Sequence, residues 1–186
     1  MRETEVFLGL GSNLGNRAFF LAKAIEKLQA MKIEILASSA VYETEPWGSV
    51  SQPNYLNMVV QITSPFSPEE LLDITQKIEL SMGRTRLKKW SARTIDIDLL
   101  YFGQIQLQTE HLTLPHPSLH KRRFVLVPLA EIAPRFKCKS LFYSNLELLA
   151  QCDDLLPVWR YEQTLEELIG AHNGTEPILC CDRKAV

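Results

Sequence analysis

Ten residues, Arg93-Thr94-Ile95-Asp96-Ile97-Asp98-Leu99-Leu100-Tyr101-Phe102, constrain this chain more than any other stretch. Apart from Arg93 and the two aspartates the run is β-branched, aliphatic or aromatic, which reads as a strand. Residues two apart in a strand face the same side, so Asp96 and Asp98 project together, about 7 Å apart at their Cα atoms. Ile95, Ile97 and Leu99 then point the other way, into a core. Two like charges on one face cost free energy unless something positive sits between them, and the usual answer is a divalent cation. Just upstream, Arg84, Arg86, Lys88, Lys89 and Arg93 supply positive charge with no acid among them. Carboxylates for Mg²⁺ beside cations for phosphate is the pairing that phosphoryl-type transfer needs. The competing reading is a solvated strand face whose acids simply pair with the basic run. The poor strand propensity of Asp, in a strand ending Leu-Leu-Tyr-Phe, weighs against it.

The rest of the chain supplies a frame for that strand. Glu5–Leu10 reads as a buried strand, and Gly9-Leu-Gly-Ser-Asn13-Leu-Gly15-Asn16 as a turn. Asn16 can cap a helix to about Met31, with Phe19, Phe20, Ala24, Ile25 and Leu28 on its apolar face. Ile33–Glu43 and Tyr55–Ser64 are strand-like, and Glu45–Asn54 between them is rich in turn formers. Ser67-Pro68-Glu69-Glu70 has the cap, the first-turn proline and the acid of a capping box, and the helix it starts stops at Gly83. The order β-α-β-β-α-β predicts an α+β, ferredoxin-like fold: an antiparallel sheet with helices on its faces. Residues 104–136 add further strand or loop and a proline-bounded segment, and 140–172 read as extra C-terminal helices packed on the sheet edge or a partner chain. Gly9-x-Gly11-x-x-x-Gly15 imitates a dinucleotide fingerprint. Its third glycine comes one residue late, however, and the next strand opens an antiparallel pair, so a Rossmann fold is rejected.

A length of 186 residues suits one domain, expected to be a catalytic core over 1–136 with an extension over 137–186. The net charge of -2 and clustering of cations at 84–93 and 121–123 favour a local polyanion site over a general nucleic-acid coat. No apolar run approaches the roughly 20 residues a bilayer span needs. The acidic start Met-Arg-Glu-Thr-Glu does not open a signal peptide. Cys138, Cys152, Cys180 and Cys181 form no C-x-x-C pair and read as reduced thiols of a cytoplasmic protein. Together these predict a cytoplasmic protein that binds neither nucleic acid nor membrane. A monomer or weak homodimer is expected, although nothing in the sequence sets the oligomeric state.

Several blocks then coincide in order. They are Leu10-Gly-Ser-Asn13-Leu-Gly15-Asn16; Tyr42-Glu-Thr44-Glu-Pro46-x-Gly48; Gln52-Pro53-x-Tyr55-Leu-Asn57; Gly83-Arg84-x-Arg86; Trp90-x-x-Arg93-Thr-Ile-Asp96-Ile-Asp98; Leu114-Pro-His116-Pro117; and Arg122-x-Phe124-Val-Leu-x-Pro128-Leu129. Over about residues 5–136 the chain resembles the 6-hydroxymethyl-7,8-dihydropterin pyrophosphokinases of folate biosynthesis. The resemblance implies transfer of diphosphate from ATP to the pterin hydroxymethyl oxygen, with release of AMP. It implies two Mg²⁺ ions held by Asp96 and Asp98, and Arg84 and Arg93 on the phosphates as further catalytic residues. Its ATP side comprises Gln76, Glu79, Arg84, Arg86, Lys89, Trp90, Arg93, His116 and Arg122. Its pterin side comprises Thr44, Pro46, Trp47, Tyr55, Asn57, Trp90, Asp96 and Phe124. A guanidinium fork suits phosphoryl oxygens, and the Tyr55/Asn57 spacing puts both on one strand face.

Three positions depart from the family pattern. Lys89 stands where some relatives carry Arg, Pro117 where some carry an aromatic, and Arg123 where a small residue is frequent. All three bear on nucleotide affinity rather than on the reaction. His116-x-x-x-His120 has metal-ligand spacing, but Pro117 opposes a helical pair and Mg²⁺ prefers oxygen. Two other readings remain: an RNA-binding sheet module, opposed by the two acids on the binding strand, and a catalytically dead binding protein, opposed by the intact acid pair. The loop 84–92 is expected to order only when ATP and pterin are both bound.

Overall fold

The protein is seen in a computed structural model that describes residues 4–47, 52–84 and 92–171. Strand β1 (Thr4–Ser12) is followed by helix α1 (Arg17–Ala30), strands β2 (Glu34–Ser38), β3 (Tyr42–Thr44) and β4 (Tyr55–Ser64), helix α2 (Pro68–Ser81) and strand β5 (Asp96–Phe102). The predicted caps are present. Asn16 Oδ1 accepts from the Phe19 N–H (3.0 Å), and Ser67 and Glu70 close a reciprocal capping box. Each cap satisfies helix-end donors that would otherwise lack partners.

The strands form one antiparallel sheet in the order β5-β1-β4-β3, with β2 also on β4, which is the expected ferredoxin-like arrangement. Its two faces have different cores. Val6, Leu8, Leu10, Ile97 and Leu99 project toward α1 and α2, meeting Leu21, Ile25, Leu28, Leu71 and Ile78. Burying each such side chain contributes about 1.5–3 kcal/mol. The opposite face carries Phe7, Val59, Leu100 and Tyr101 and is covered by helices α3 (Arg123–Ile132) and α4 (Asn145–Ala150).

Four sequence expectations are corrected. The Gly9–Ser12 segment belongs to β1, not to a turn. It is hydrogen-bonded on both sides, and Gly11 pairs with Asn57 on β4 and Asp96 on β5. The expected single strand Ile33–Glu43 is two, broken at Ser39–Val41, where the Ser39 hydroxyl accepts from the Val59 N–H (3.0 Å). The proline-bounded segment contains α3 despite Pro128. Burial of Val125, Leu126 and Leu129 outweighs the hydrogen bond that Pro128 cannot donate. Finally, the C-terminal segment is not wholly helical. Strand β8 (Val158–Arg160) pairs with β3 and extends the sheet before helix α5 (Leu165–Ala171), which packs on α1. The remaining strands, β6 (Leu107–Gln108) and β7 (Thr113–Leu114), form a separate hairpin.

Candidate active site

The site begins with what two strands lack. In β1 the register sets Gly9 opposite Asp98 and Gly11 opposite Asp96. With no side chain at either glycine, the sheet face beside the acid pair is hollow. On the other flank Gly11 lies opposite Asn57, and a Cβ there would come within 2.9 Å of Asn57 Oδ1. The resulting cleft is about 250 Å³ and is walled by residues of β1, β3, β4, β5 and the start of α3. A β-bulge helps shape it. Between Phe7 and Leu8 of β1 the register with β5 slips by one residue, and the Leu100 carbonyl accepts from the His116 N–H (2.9 Å). That bond brings His116 beside the aspartates.

The charged half of the cleft is tightly paired. Asp96 accepts from both arginines: Oδ1 from Arg84 at 2.6 Å and Oδ2 from Arg93. Arg84 also pairs with Glu79, a buried carboxylate that accepts the Ile97 N–H at 2.7 Å, between the two aspartates. Burial pushes the Glu79 carboxyl up, against the lowering effect of that N–H and of Arg84. Asp98 is pushed up to about 7, by burial first and by the Asp96 charge second, while Arg122 and Arg84 pull it down. Two partly buried carboxylates, one of them this reluctant to ionise, are a hard-oxygen donor pair that wants more positive charge, which fits a divalent cation. His116 is pushed down to about 4 by burial and by Arg122, so its ring is neutral at pH 7. Its Nδ1 accepts from the Ser118 N–H (3.3 Å), which leaves the ring proton on Nε2.

The other half is aromatic and amide-lined. Asn57 Nδ2 donates to Thr44 Oγ1 (2.7 Å) on β3, and both side chains are buried. Tyr55, on the same face two residues earlier, donates its hydroxyl to Gln52 Oε1 (3.2 Å). Pro46, Trp47 and Phe124 complete this wall. The Arg122 guanidinium carbon lies 5.2 Å from the Trp47 ring centroid and 5.8 Å from that of Phe124. Arg122 Nε is buried with no hydrogen-bond partner among the described residues.

Of the residues singled out in the sequence, Thr44, Pro46, Trp47, Tyr55, Asn57, Arg84, Arg93, Asp96, Asp98, His116, Arg122 and Phe124 all line this one cleft. Glu79 stands behind it through Arg84, and Gln76 lies one helical turn earlier on α2, outside the lining. Arg86, Lys88, Lys89 and Trp90 lie outside the described residues, as does most of the 84–92 loop. Sequence reasoning missed Gly11 as a site residue, since a glycine beside a turn-like run reads as a turn. It also missed Asn13, which is 1% exposed and joins three segments. Its Oδ1 accepts from the Arg93 N–H (2.8 Å), and its Nδ2 donates to Gln52 Oε1 (3.0 Å) and to the Pro53 carbonyl (3.4 Å). The only sequence signal was an asparagine in a strand-end position.

Comparisons with known proteins bear on the family and the fold. The family model for 7,8-dihydro-6-hydroxymethylpterin-pyrophosphokinase (HPPK) matches residues 7–134. The 2-amino-4-hydroxy-6-hydroxymethyldihydropteridine pyrophosphokinase of Methylorubrum extorquens is 47% identical over 132 residues, 70% of this chain and 84% of that protein. The Bacillus subtilis protein of the same description is 44% identical over 127 residues, 68% of this chain and 76% of its own. Among solved structures, wild-type Plasmodium falciparum HPPK-DHPS superposes with a TM-score of 0.64 at 16% identity. That match covers 81% of this chain and 41% of the longer Plasmodium chain, and it speaks to the fold alone.

Proposed function

The chain belongs to the 7,8-dihydro-6-hydroxymethylpterin-pyrophosphokinase family, and from that membership we propose which of its residues carry the reaction. The reaction moves diphosphate from ATP to the hydroxymethyl group of 6-hydroxymethyl-7,8-dihydropterin, in folate biosynthesis. The pterin oxygen forms a bond to the β-phosphorus, the bond from that phosphorus to the α,β-bridging oxygen breaks, and AMP departs with the bridging oxygen. The hydroxyl proton is lost.

The cleft divides the work between its two halves. The triphosphate takes the charged half, where Arg84 and Arg93 exchange part of their pairing with Asp96 for phosphate oxygens. His116, neutral, donates from Nε2 without adding charge, and Arg122 offers its Nε, which has no hydrogen-bond partner among the described residues. Gln76, Glu79, Arg86, Lys89 and Trp90 complete the ATP side by resemblance. The pterin takes the other half, between Tyr55 and Phe124, with its edge read by Asn57 and Thr44 and its rim closed by Pro46, Trp47 and Trp90. Asp96, between the halves, lowers the cost of losing the hydroxyl proton. Asp96 and Asp98 would hold two Mg²⁺ ions, which when bound offset triphosphate charge and favour the attacking and bridging oxygens.

The observation that carries this assignment is the register that sets Gly9 and Gly11 against Asp98 and Asp96, with Asn57 on the far side of Gly11. This register supports the reading of the hollow as a polyanion half beside a flat, amide-lined half. Residues 1–186 act as one domain in this proposal. A monomer suffices, because one chain's residues build the cleft, and a weak homodimer is compatible with it. Among the described residues no helix is long and apolar enough to cross a membrane. The proposed setting is the cytoplasm, where free thiols such as buried Cys138 and Cys152 persist. A coupled assay for AMP tests the division of the cleft. Asn57→Ala is expected to raise the pterin KM roughly tenfold or more with the ATP KM little changed. An equal rise in both would contradict it.

A further inference from the structure

The segment beyond the family-matched residues 7–134 reaches back to the pterin half of the cleft at two points. Helix α3 starts at Arg123 with Arg122 as its N-cap, and Arg122 makes no capping hydrogen bond from its side chain. The cap comes instead from 31 residues downstream, where Asp154 Oδ2 accepts from the Arg123 N–H (3.0 Å). The carboxylate is itself held in place, since its Oδ1 accepts from the Leu156 N–H (3.1 Å). A negative group at this position satisfies an orphan donor and meets the positive end of the helix dipole. The two residues flanking that N–H are Arg122 and Phe124, which line the cleft and stack on each other. Four residues further on, Val158 of β8 packs with Val127 of α3 and Tyr42 of β3, with Phe124 against the same cluster. Strand β8 also pairs Val158 with Thr44, the partner of Asn57.

We propose that Asp154 is a positioning residue for the pyrophosphokinase reaction. By capping α3 it fixes the place of Phe124 and Arg122, so the C-terminal extension is a working part of the pterin pocket rather than an outer layer. The inference rests on the pterin role given to Phe124 above. Without the cap the first turn of α3 is free to fray, and fraying moves these two side chains before it disturbs the buried Leu126 and Leu129.

The test is equilibrium binding of 6-hydroxymethyl-7,8-dihydropterin to the full chain with Mg²⁺ and α,β-methylene-ATP, whose α,β bridge cannot be cleaved. Asp154→Ala is expected to weaken pterin binding about fivefold, and Asp154→Asn, whose one amide oxygen can accept from the Arg123 N–H or from the Leu156 N–H but not from both, to weaken it less than that. Asn145→Ala removes the hydrogen bond to the Ala133 carbonyl at the other end of α3 and serves as the structural control. It is expected to lower Tm at least as much as Asp154→Ala yet hold pterin affinity within about twofold. The proposal is overturned if Asp154→Ala binds the pterin as wild type does, or if Asn145→Ala weakens it equally. If Phe124→Ala binds the pterin with wild-type affinity, the assignment of Phe124 falls first and this inference with it. A weakened Phe124→Ala beside an unaffected Asp154→Ala overturns the inference alone.

Discussion

Asp98 shows how one residue can oppose folding while serving a site. Its carboxyl is raised from 3.8 to about 7 in the folded protein, so between those values the native state binds more protons than the unfolded one. Stability without divalent ions therefore falls as pH rises through that window, and the cost is complete above about pH 7. Asp98→Asn removes it. Urea denaturation in chelator at pH 8 is expected to show the variant more stable by roughly 1–3 kcal/mol, with no gain below about pH 4. Equal stability at pH 8 would contradict the burial argument. His116 has the opposite sign. Its value falls from 6.5 to about 4, so the unfolded state binds more protons in that window and stability rises with pH across it. An NMR titration should find the His116 ring neutral at pH 5.5. A protonated ring there would remove the case for its acting as an uncharged donor. Gly11 is the third residue whose chemistry is spatial. Gly11→Ala puts a methyl 2.9 Å from Asn57 Oδ1, and its pterin KM is expected to rise roughly tenfold, more than its ATP KM.

At the scale of elements, the parts legible in the sequence are those whose signals are local. The caps of α1 and α2 are set by residues within four positions of the helix start, and Ser67-Pro-Glu-Glu could be read without any tertiary contact. Ser67→Ala should cost about 1 kcal/mol in urea denaturation and leave AMP formation unchanged, since α2's first turn is remote from the cleft. The same locality made the acid pair of β5 readable. Elements decided by distant partners were not readable. Strand β8 has three residues and exists because β3 offers an open edge. Helix α3 contains a proline and is held by burial of Val125, Leu126 and Leu129 against one face of the sheet. Gly9 and Gly11 read as turn formers because glycine is usually that. Only the flanking strands make them strand residues, and their emptiness becomes part of the site. The pairing of Asp96 with Arg84 likewise depends on where α2 ends, whereas Arg93 lies only three residues from Asp96.

At the scale of the molecule, one sheet serves two solvents of different kind. One face is closed by α1 and α2 over an apolar core. The other is closed by α3 and α4 except where two glycines open it, and there the chain gathers three arginines, two aspartates and a neutral histidine. Chelation of divalent ions is expected to abolish AMP formation, and Mg²⁺ to restore it without a change in far-UV circular dichroism. The most direct measurement is the rate of AMP formation by Asp96→Ala and Asp98→Ala at saturating MgATP and 6-hydroxymethyl-7,8-dihydropterin, with folding checked by thermal denaturation. Each folded variant should lose roughly 10³-fold or more in kcat. Either variant, folded and within about tenfold of the wild-type rate, would contradict the placing of the metals and the transferred diphosphate on this acid pair.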